Sequence, residues 1–401
     1  MATYFDAVKD KIEDGIQGNA LWIPSPYKRW KNKVGVKKKL YTLIGGDSGA
    51  GKSSFVDSTY ILHTYEWYMR NKDHLKFKPK IILRSMERSK EFRIAKWICY
   101  LLYSKFNILV DVKTLFGLHA GDSRIDSDIM KKIESCREYI ENMQQYITVI
   151  DGRSVPWGVF KDFRNYSLKH GTIYRHNGDG SFEIGEYKES DRKIVWKSCP
   201  KDRFPSNHPF PEKYETVFIA DDENEIVIPV VDHIGKYKNR KGDTNKDTLD
   251  RASDYTSDLR DIFGMSPINI SQFNRSKTDT KRRFNKRTEL QPEEDDFKGS
   301  GDMYEDADLV IGLFNPYSYG INNHFGYSIS KFVNSYGYNR FRSAFVLKNS
   351  YGPDDFMGAF QFIGEIGRYR LMPKPKQLNK SILDKIVNTE QQDKVIDLVK
   401  R

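Results

Sequence analysis

The stretch Gly45-Gly46-Asp47-Ser48-Gly49-Ala50-Gly51-Lys52-Ser53-Ser54 follows directly on the apolar run Leu40-Tyr41-Thr42-Leu43-Ile44. Gly46, four further residues and then Gly51-Lys52-Ser53 have the spacing of a strand-loop-helix turn whose bare backbone N–H groups wrap nucleotide phosphates. Glycines permit the positive-φ backbone and the close approach this needs. Gly46, Asp47, Ser48, Gly49, Ala50, Gly51, Lys52, Ser53 and Ser54 then form the nucleotide-binding loop. The Lys52 ammonium meets the β- and γ-phosphates, and the Ser53 hydroxyl ligates Mg²⁺ at the start of a helix whose dipole favours anions. The spacing predicts that helix over Ser53 to Arg70, with Phe55, Tyr60, Ile61 and Tyr65 inward.

Outward from the loop, strand-like runs recur, each ending in a polar group. Pro79 to Glu87 is apolar and closes on a carboxylate placed to polarise a water attacking the γ-phosphate, or else to start the helix of residues 91–107, whose apolar stripe is Ile94, Trp97, Ile98 and Leu101. Tyr146 to Asp151 is a further strand, and a helix covers 159–169. Glu225 to Asp232 ends in an aspartate suited to hold Mg²⁺ through water, although Pro229 is awkward in a central strand. A helix over 247–263 precedes the strand Pro267 to Gln272. Alternation of helical and strand patterns marks an α/β fold with a mainly parallel sheet flanked by helices. Between them, about 171–225 reads as a β-rich insertion with a turn at Asn177-Gly178-Asp179-Gly180, either a decoration or a docking surface bearing Tyr174, Arg175, Tyr187, Trp196 and Lys197.

The 401 residues carry a net charge of +11, which favours a polyanionic partner. Positive charge is concentrated in two loops that leave the carboxyl ends of predicted strands. One holds Lys238, Arg240 and Lys241; the other holds Arg275, Lys277, Lys281, Arg282, Arg283, Lys286 and Arg287. Together they are placed to grip single-stranded DNA through its phosphates. The run Lys28 to Lys33, continued by Lys37 to Lys39, reads instead as a solvated face around Trp30. Cys99, Cys136 and Cys199 are isolated, which argues against a disulfide framework or structural zinc and for a reducing compartment. The chain has no run of about 18 apolar residues, so no membrane partner is expected and the localisation expected is cytoplasmic.

The ordered set Gly46 to Ser53, Arg84-Ser85-Met86-Glu87-Arg88-Ser89, Val230-Val231-Asp232, Ile270-Ser271-Gln272-Phe273-Asn274-Arg275, Gly299 to Val310 and Leu347-Lys348-Asn349-Ser350-Tyr351-Gly352-Pro353 resembles the ATPase domain of DnaB-type replicative helicases. The resemblance implies a RecA-like P-loop NTPase core, ATP and Mg²⁺ as ligands, and a homo-oligomer, a hexamer, with ATP between subunits. It implies Glu87 as catalytic glutamate, Asp232 as metal aspartate and Gln272 as γ-phosphate sensor. Lys348 is then a basic residue reaching a neighbour's nucleotide. The family places an arginine two residues beyond that lysine, where this chain has Ser350; Arg342 or Arg340 is the expected substitute. The division expected is an N-terminal helix and linker (1–20), the ATPase domain (21–370) and a helical tail (371–401). That compact layout points to a phage-encoded helicase acting in the host cytoplasm, with other replication proteins as further partners. An ATP-switched, single-stranded-DNA-binding protein that does not unwind is the alternative. A plain metabolic ATPase leaves the paired basic loops unused. Tyr327 to Val333, Phe341 to Leu347 and Ala359 to Ile363 are expected as closing strands.

Overall fold

The computed structural model describes residues 4–16, 22–118, 125–177, 181–206, 208, 210–274 and 290–389. After helix α1 (Tyr4–Ile16), β1 (Trp22–Pro24) and β2 (Gly35–Lys37) pair as a short ribbon. The central sheet then collects β3 (Thr42–Gly46), β4 (Lys78–Ser85) and β5 (Ile147–Asp151). The insertion supplies β6 (Gly171–His176), β7 (Phe182–Lys188), β8 (Lys193–Ser198) and β9 (Thr216–Ala220). The central sheet resumes with β10 (Glu225–Asp232), β11 (Ile268–Gln272) and β12 (Leu309–Phe314). β13 (Asn323–His324) and β14 (Tyr327–Ser328) form a second ribbon before β15 (Phe341–Asn349), β16 (Phe356–Ile363) and β17 (Arg368–Leu371).

The nine-stranded sheet runs in the order β17-β16-β15-β12-β3-β11-β10-β4-β5. From β12 to β5 every neighbouring pair is parallel, whereas β15, β16 and β17 join as an antiparallel meander. Side chains alternate between two cores, as a sheet covered on both faces requires. Ile44, Ile311 and Leu313 enter one core, beneath Phe55, Trp97 and Leu101; Leu43, Val231 and Val310 enter the other, beneath Phe160, Phe163 and Leu259. Pro229 is tolerated because β11 pairs only with Val230 and Val231, so the proline lies at the start of that ladder.

The predicted helix after the phosphate loop is continuous but not uniform: α2 (Lys52–Val56), a π-turn (Asp57–Ile61) and α3 (Leu62–Asn71). α4 (Lys90–Phe106) starts on an N-cap Ser89 whose side chain accepts from the Phe92 N–H. α5 (Val112–Leu115), α6 (Ser127–Glu134) and α7 (Arg137–Tyr146) lead to β5, α8 (Pro156–Leu168) to the insertion, and α9 (Asn245–Asp261) to β11. A short helix, α10 (Gly301–Asp306), precedes β12, and α11 (Lys380–Asn388) is the last described element.

The inserted strands form a separate antiparallel sheet in the order β8-β7-β6-β9. Its aromatic side chains turn inward: Tyr174 stacks with Phe182 in a small core, and Tyr187 and Trp196 lean on the main one. Tyr327 to Val333 is not the predicted strand, because only Tyr327 and Ser328 pair before a 3₁₀ turn (Ile329–Phe332) that buries Ile329 and Phe332. Trp30 is fully buried against Tyr27, Phe356 and Phe360, while the lysines around it are exposed.

Candidate nucleotide site

The carboxyl edge of the parallel strands assembles most of the predicted site. Gly49 and Gly51 take φ of 77° and 89°, the left-handed backbone that lets the loop curl. A side chain at Gly51 would also strike the Tyr369 hydroxyl, at 2.4 Å from an added Cβ. That hydroxyl donates to the Ala50 carbonyl at 2.6 Å, so β17 braces the loop from behind. Lys52, Ser53, Glu87, Asp232 and Gln272 line one cleft of about 400 Å³. Lys52 Nζ lies over the loop itself, donating to the Gly46 and Asp47 carbonyls at 2.8 Å each. Ser53 Oγ donates to Asp232 Oδ1 at 3.0 Å, joining the serine after the lysine to the aspartate that ends β10. Glu87 lies two residues past the end of β4, with its side chain 47 % exposed.

Three residues at this site were not singled out from sequence. Arg93 is 3 % exposed and clamps two carboxylates: it donates to Asp57 Oδ1 through Nε at 3.1 Å and Nη2 at 2.8 Å, and its Nη1 pairs with Asp232 Oδ2. Asp232 therefore uses one oxygen for Ser53 and the other for Arg93. Burial pushes the Asp57 carboxyl up to about 6 even though Arg93 opposes the shift. The signal was present in the sequence, since Arg93, Trp97 and Leu101 recur at helical spacing on the buried face, and an arginine there demands a buried anion. His233, next to Asp232, sets Nε2 3.2 Å from Glu87 Oε2. Burial lowers its pKa, so the neutral ring donates from Nε2 to the carboxylate and leaves Nδ1 buried without a hydrogen-bond partner among the described residues. Tyr369, behind the loop, is the third.

The donor set suits a magnesium ion, which keeps most of its waters and takes few protein ligands. Among the described residues no group of three or more His, Cys, Asp or Glu side chains gathers as a metal cage. One hydroxyl, Ser53, hydrogen-bonded to one carboxylate, Asp232, is the sparse protein share that such an ion needs beside nucleotide phosphates.

Other predicted residues lie elsewhere. Lys348 is near the end of β15, opposite Val310, which in turn is opposite Leu43. Because β15 runs antiparallel, Lys348 sits at the amino edge of the sheet, away from its own phosphate loop. Its Nζ donates to the Glu305 carbonyl at 2.6 Å. Arg340 and Arg342, the expected substitutes for the missing arginine, are both buried within this chain. They lie at the other end of β15, Arg340 just before the strand and Arg342 within it, and are 4 % and 8 % exposed. Arg340 forms a two-pronged pair with Glu365, and Arg342 donates to the Asn339 and Phe341 carbonyls with its guanidinium over Phe362. Lys238, Arg240 and Lys241 are exposed in the loop between β10 and α9. Arg275, Lys277, Lys281, Arg282, Arg283, Lys286 and Arg287 lie outside the described residues. The chain enters that segment from Gln272, at the same edge of the sheet as Asp232.

The chain matches no protein-family model and no curated protein. Among solved structures, a DnaB-like replicative helicase, described with its interactions with primase, is similar with a TM-score of 0.58 and 15 % identity, over 92 % of this chain and 67 % of that one. A second solved structure, of an isolated ATPase domain, is similar with a TM-score of 0.59 and 15 % identity, over 93 % of this chain and all of that domain. The fold is therefore the RecA-like P-loop NTPase fold of helicase ATPase domains, with a large, mostly parallel sheet between helices. No helix among the described residues is long and apolar enough to cross a membrane.

Proposed function

We propose that this chain is an ATP-dependent motor of the replicative, DnaB-like helicase type, hydrolysing ATP between subunits of a ring-forming homo-oligomer to move on single-stranded DNA. The observation that carries this reading is the convergence of Lys52, Ser53, Glu87, Asp232 and Gln272 on one cleft at the carboxyl edge of a RecA-like sheet. Lys52 and the loop N–H groups bind and orient the phosphates; Glu87, held by His233, orients the attacking water and accepts its proton. Ser53 and Asp232 would hold a Mg²⁺ ion, which would supply charge neutralisation on the phosphates. Gln272 ends β11 where the second basic segment begins, which makes it the natural link between phosphate and DNA. Lys348, at the opposite edge, serves a neighbouring subunit's nucleotide. Cytoplasmic replication proteins are the partners this reading implies, and a phage origin is part of the same proposal.

The internal pairing of Arg340 and Arg342 favours one alternative, an ATP-switched single-strand binder without unwinding activity, because neither arginine projects toward a neighbour. ATP hydrolysis with and without single-stranded DNA, together with strand release from a forked duplex, separates the two. A motor shows DNA-stimulated hydrolysis and releases the strand. A switch binds both ligands, releases no strand and hydrolyses ATP weakly whether or not DNA is present; failure to bind single-stranded DNA refutes both.

A further inference from the structure

A second space of about 640 Å³ opens next to the nucleotide cleft, between α3, α4, β17 and the segment after β1. Asp57 and Lys96 line both spaces, so the π-turn sets them side by side. The volume falls within the usual range for small-molecule sites. Its walls combine two features. One is charge: Lys28, Lys31, Arg70, Lys96, Arg368 and Arg370 line it, against only two carboxylates. Both carboxylates are already engaged within the protein, Asp57 by Arg93 and Glu66 by the hydroxyls of Tyr100 at 2.9 Å and Tyr139 at 3.2 Å. The other is flat aromatic surface from Trp67, Trp97 and Tyr100.

Arg368 joins the two features. Its guanidinium lies over the Tyr100 ring at 4.7 Å, and its Nε is buried without a hydrogen-bond partner among the described residues. A buried guanidinium N–H without an acceptor is costly in a folded chain, and an anionic ligand would remove that cost. Burial also lowers the pKa of Lys96, although Asp57 and Glu365 oppose the shift, and of Arg370, beside the like charge of Arg368.

We propose that this space is a second binding site, distinct from the phosphate loop, for a nucleoside phosphate: a phosphate among the Arg70, Arg368 and Arg370 side chains, with its base against the aromatic wall. The same chemistry is offered by a free nucleotide and by one unstacked nucleotide of a single strand. The site does not depend on Lys52 and stands whether or not the chain is a motor.

The test is calorimetric titration of the full chain with ADP and, separately, with pentathymidylate. It compares the parent with Lys52→Ala, the exposed-surface variants Lys31→Glu and Arg70→Glu, and Arg368→Gln. Thermal melting confirms that each variant is folded, and the two surface variants carry the test if Arg368→Gln does not fold. If free nucleotide is the ligand, the parent takes up two ADP per chain and Lys52→Ala retains one. Lys31→Glu and Arg70→Glu then weaken that remaining site by about tenfold or more. If the ligand is a nucleotide of a strand, ADP binds once while pentathymidylate binding survives Lys52→Ala and falls by a similar factor in the surface variants. The proposal is overturned if Lys52→Ala abolishes all binding, which would make the space an annex of the cleft. It is equally overturned if neither ligand responds to Lys31→Glu and Arg70→Glu.

Discussion

The two halves of the central sheet treat charge in opposite ways. In the parallel half, polar groups at the carboxyl edge remain available: Glu87 and Gln272 are exposed and Ser53 and Asp232 face a cleft. In the antiparallel half, charge is folded inward. Arg340 closes on Glu365, Arg342 on backbone carbonyls, and His324 sits fully buried among Phe314, Phe341 and Phe345 with Nε2 3.0 Å from Ser343 Oγ. Parallel strands all deliver their ends to one edge, where loops can gather a site. A meander sends successive strands in opposite directions, so its charged residues become braces.

Glu87→Gln should give the sharpest contrast, lowering hydrolysis by roughly 10²–10⁴-fold while leaving nucleotide affinity and melting temperature near the parent values. Equal losses in affinity and rate would show that Glu87 serves structure instead. On the antiparallel side, Arg340→Ala should lower unfolding free energy by about 3–5 kcal/mol in denaturant titration, since it leaves Glu365 uncompensated, with the per-molecule rate of the folded fraction unchanged. Arg93→Ala tests the boundary, because its clamp belongs to both a core and a site. It should cost a similar ~3–5 kcal/mol and in addition raise the Mg²⁺ concentration needed for nucleotide binding, whereas Arg93→Lys should restore part of each.

Acid offers a milder probe. Burial holds His324, and likewise His63, down at about 4. For such a group the unfolded chain binds protons first. The stabilising contribution is complete above the ordinary imidazole value of about 6.5 and is lost as pH falls from there toward 4, by up to about 3 kcal/mol per ring. His324→Gln should flatten the melting temperature across that window; an unchanged slope would mean that other groups set it. The smallest effect is expected at Lys348→Ala. Hydrolysis should drop by about tenfold at concentrations where subunits assemble and not at high dilution, with sedimentation reporting the state of assembly. A loss independent of concentration would place Lys348 within its own subunit's chemistry.

Much of the carboxyl edge was legible because each element carries a local signature. The glycine spacing before Lys52, the apolar run into Asp232 and the one into Gln272 are all short-range patterns. What escaped are contacts made across the chain. Arg93 and Asp232 are separated by 139 positions, and Tyr369 reaches back 319 positions to Ala50. Periodicity carries no information about such pairs beyond marking Arg93 as a charge on a buried face. The π-turn escaped for a different reason: its only trace is the five-residue step between the buried Phe55 and Tyr60, a single irregularity in an otherwise helical pattern. Tyr327 to Val333 misled because Tyr327 and Ile329 alternate as in a strand, whereas the buried Phe332 follows at the spacing of a 3₁₀ turn packed on α11.

The reversed course of β15 has a consequence for symmetry. On the proposed function, a site that joins the carboxyl edge of one copy to Lys348 at the amino edge of another brings together two unlike surfaces. Each copy then offers one donor patch and one acceptor patch, and an isologous two-fold pair of the two patches is ruled out. Contacts of that kind propagate head to tail until the rotation per step closes a circle, or climb into a helix when it does not. In a closed circle every site is complete and sites equal subunits in number; in an open array one terminal cleft always lacks its lysine.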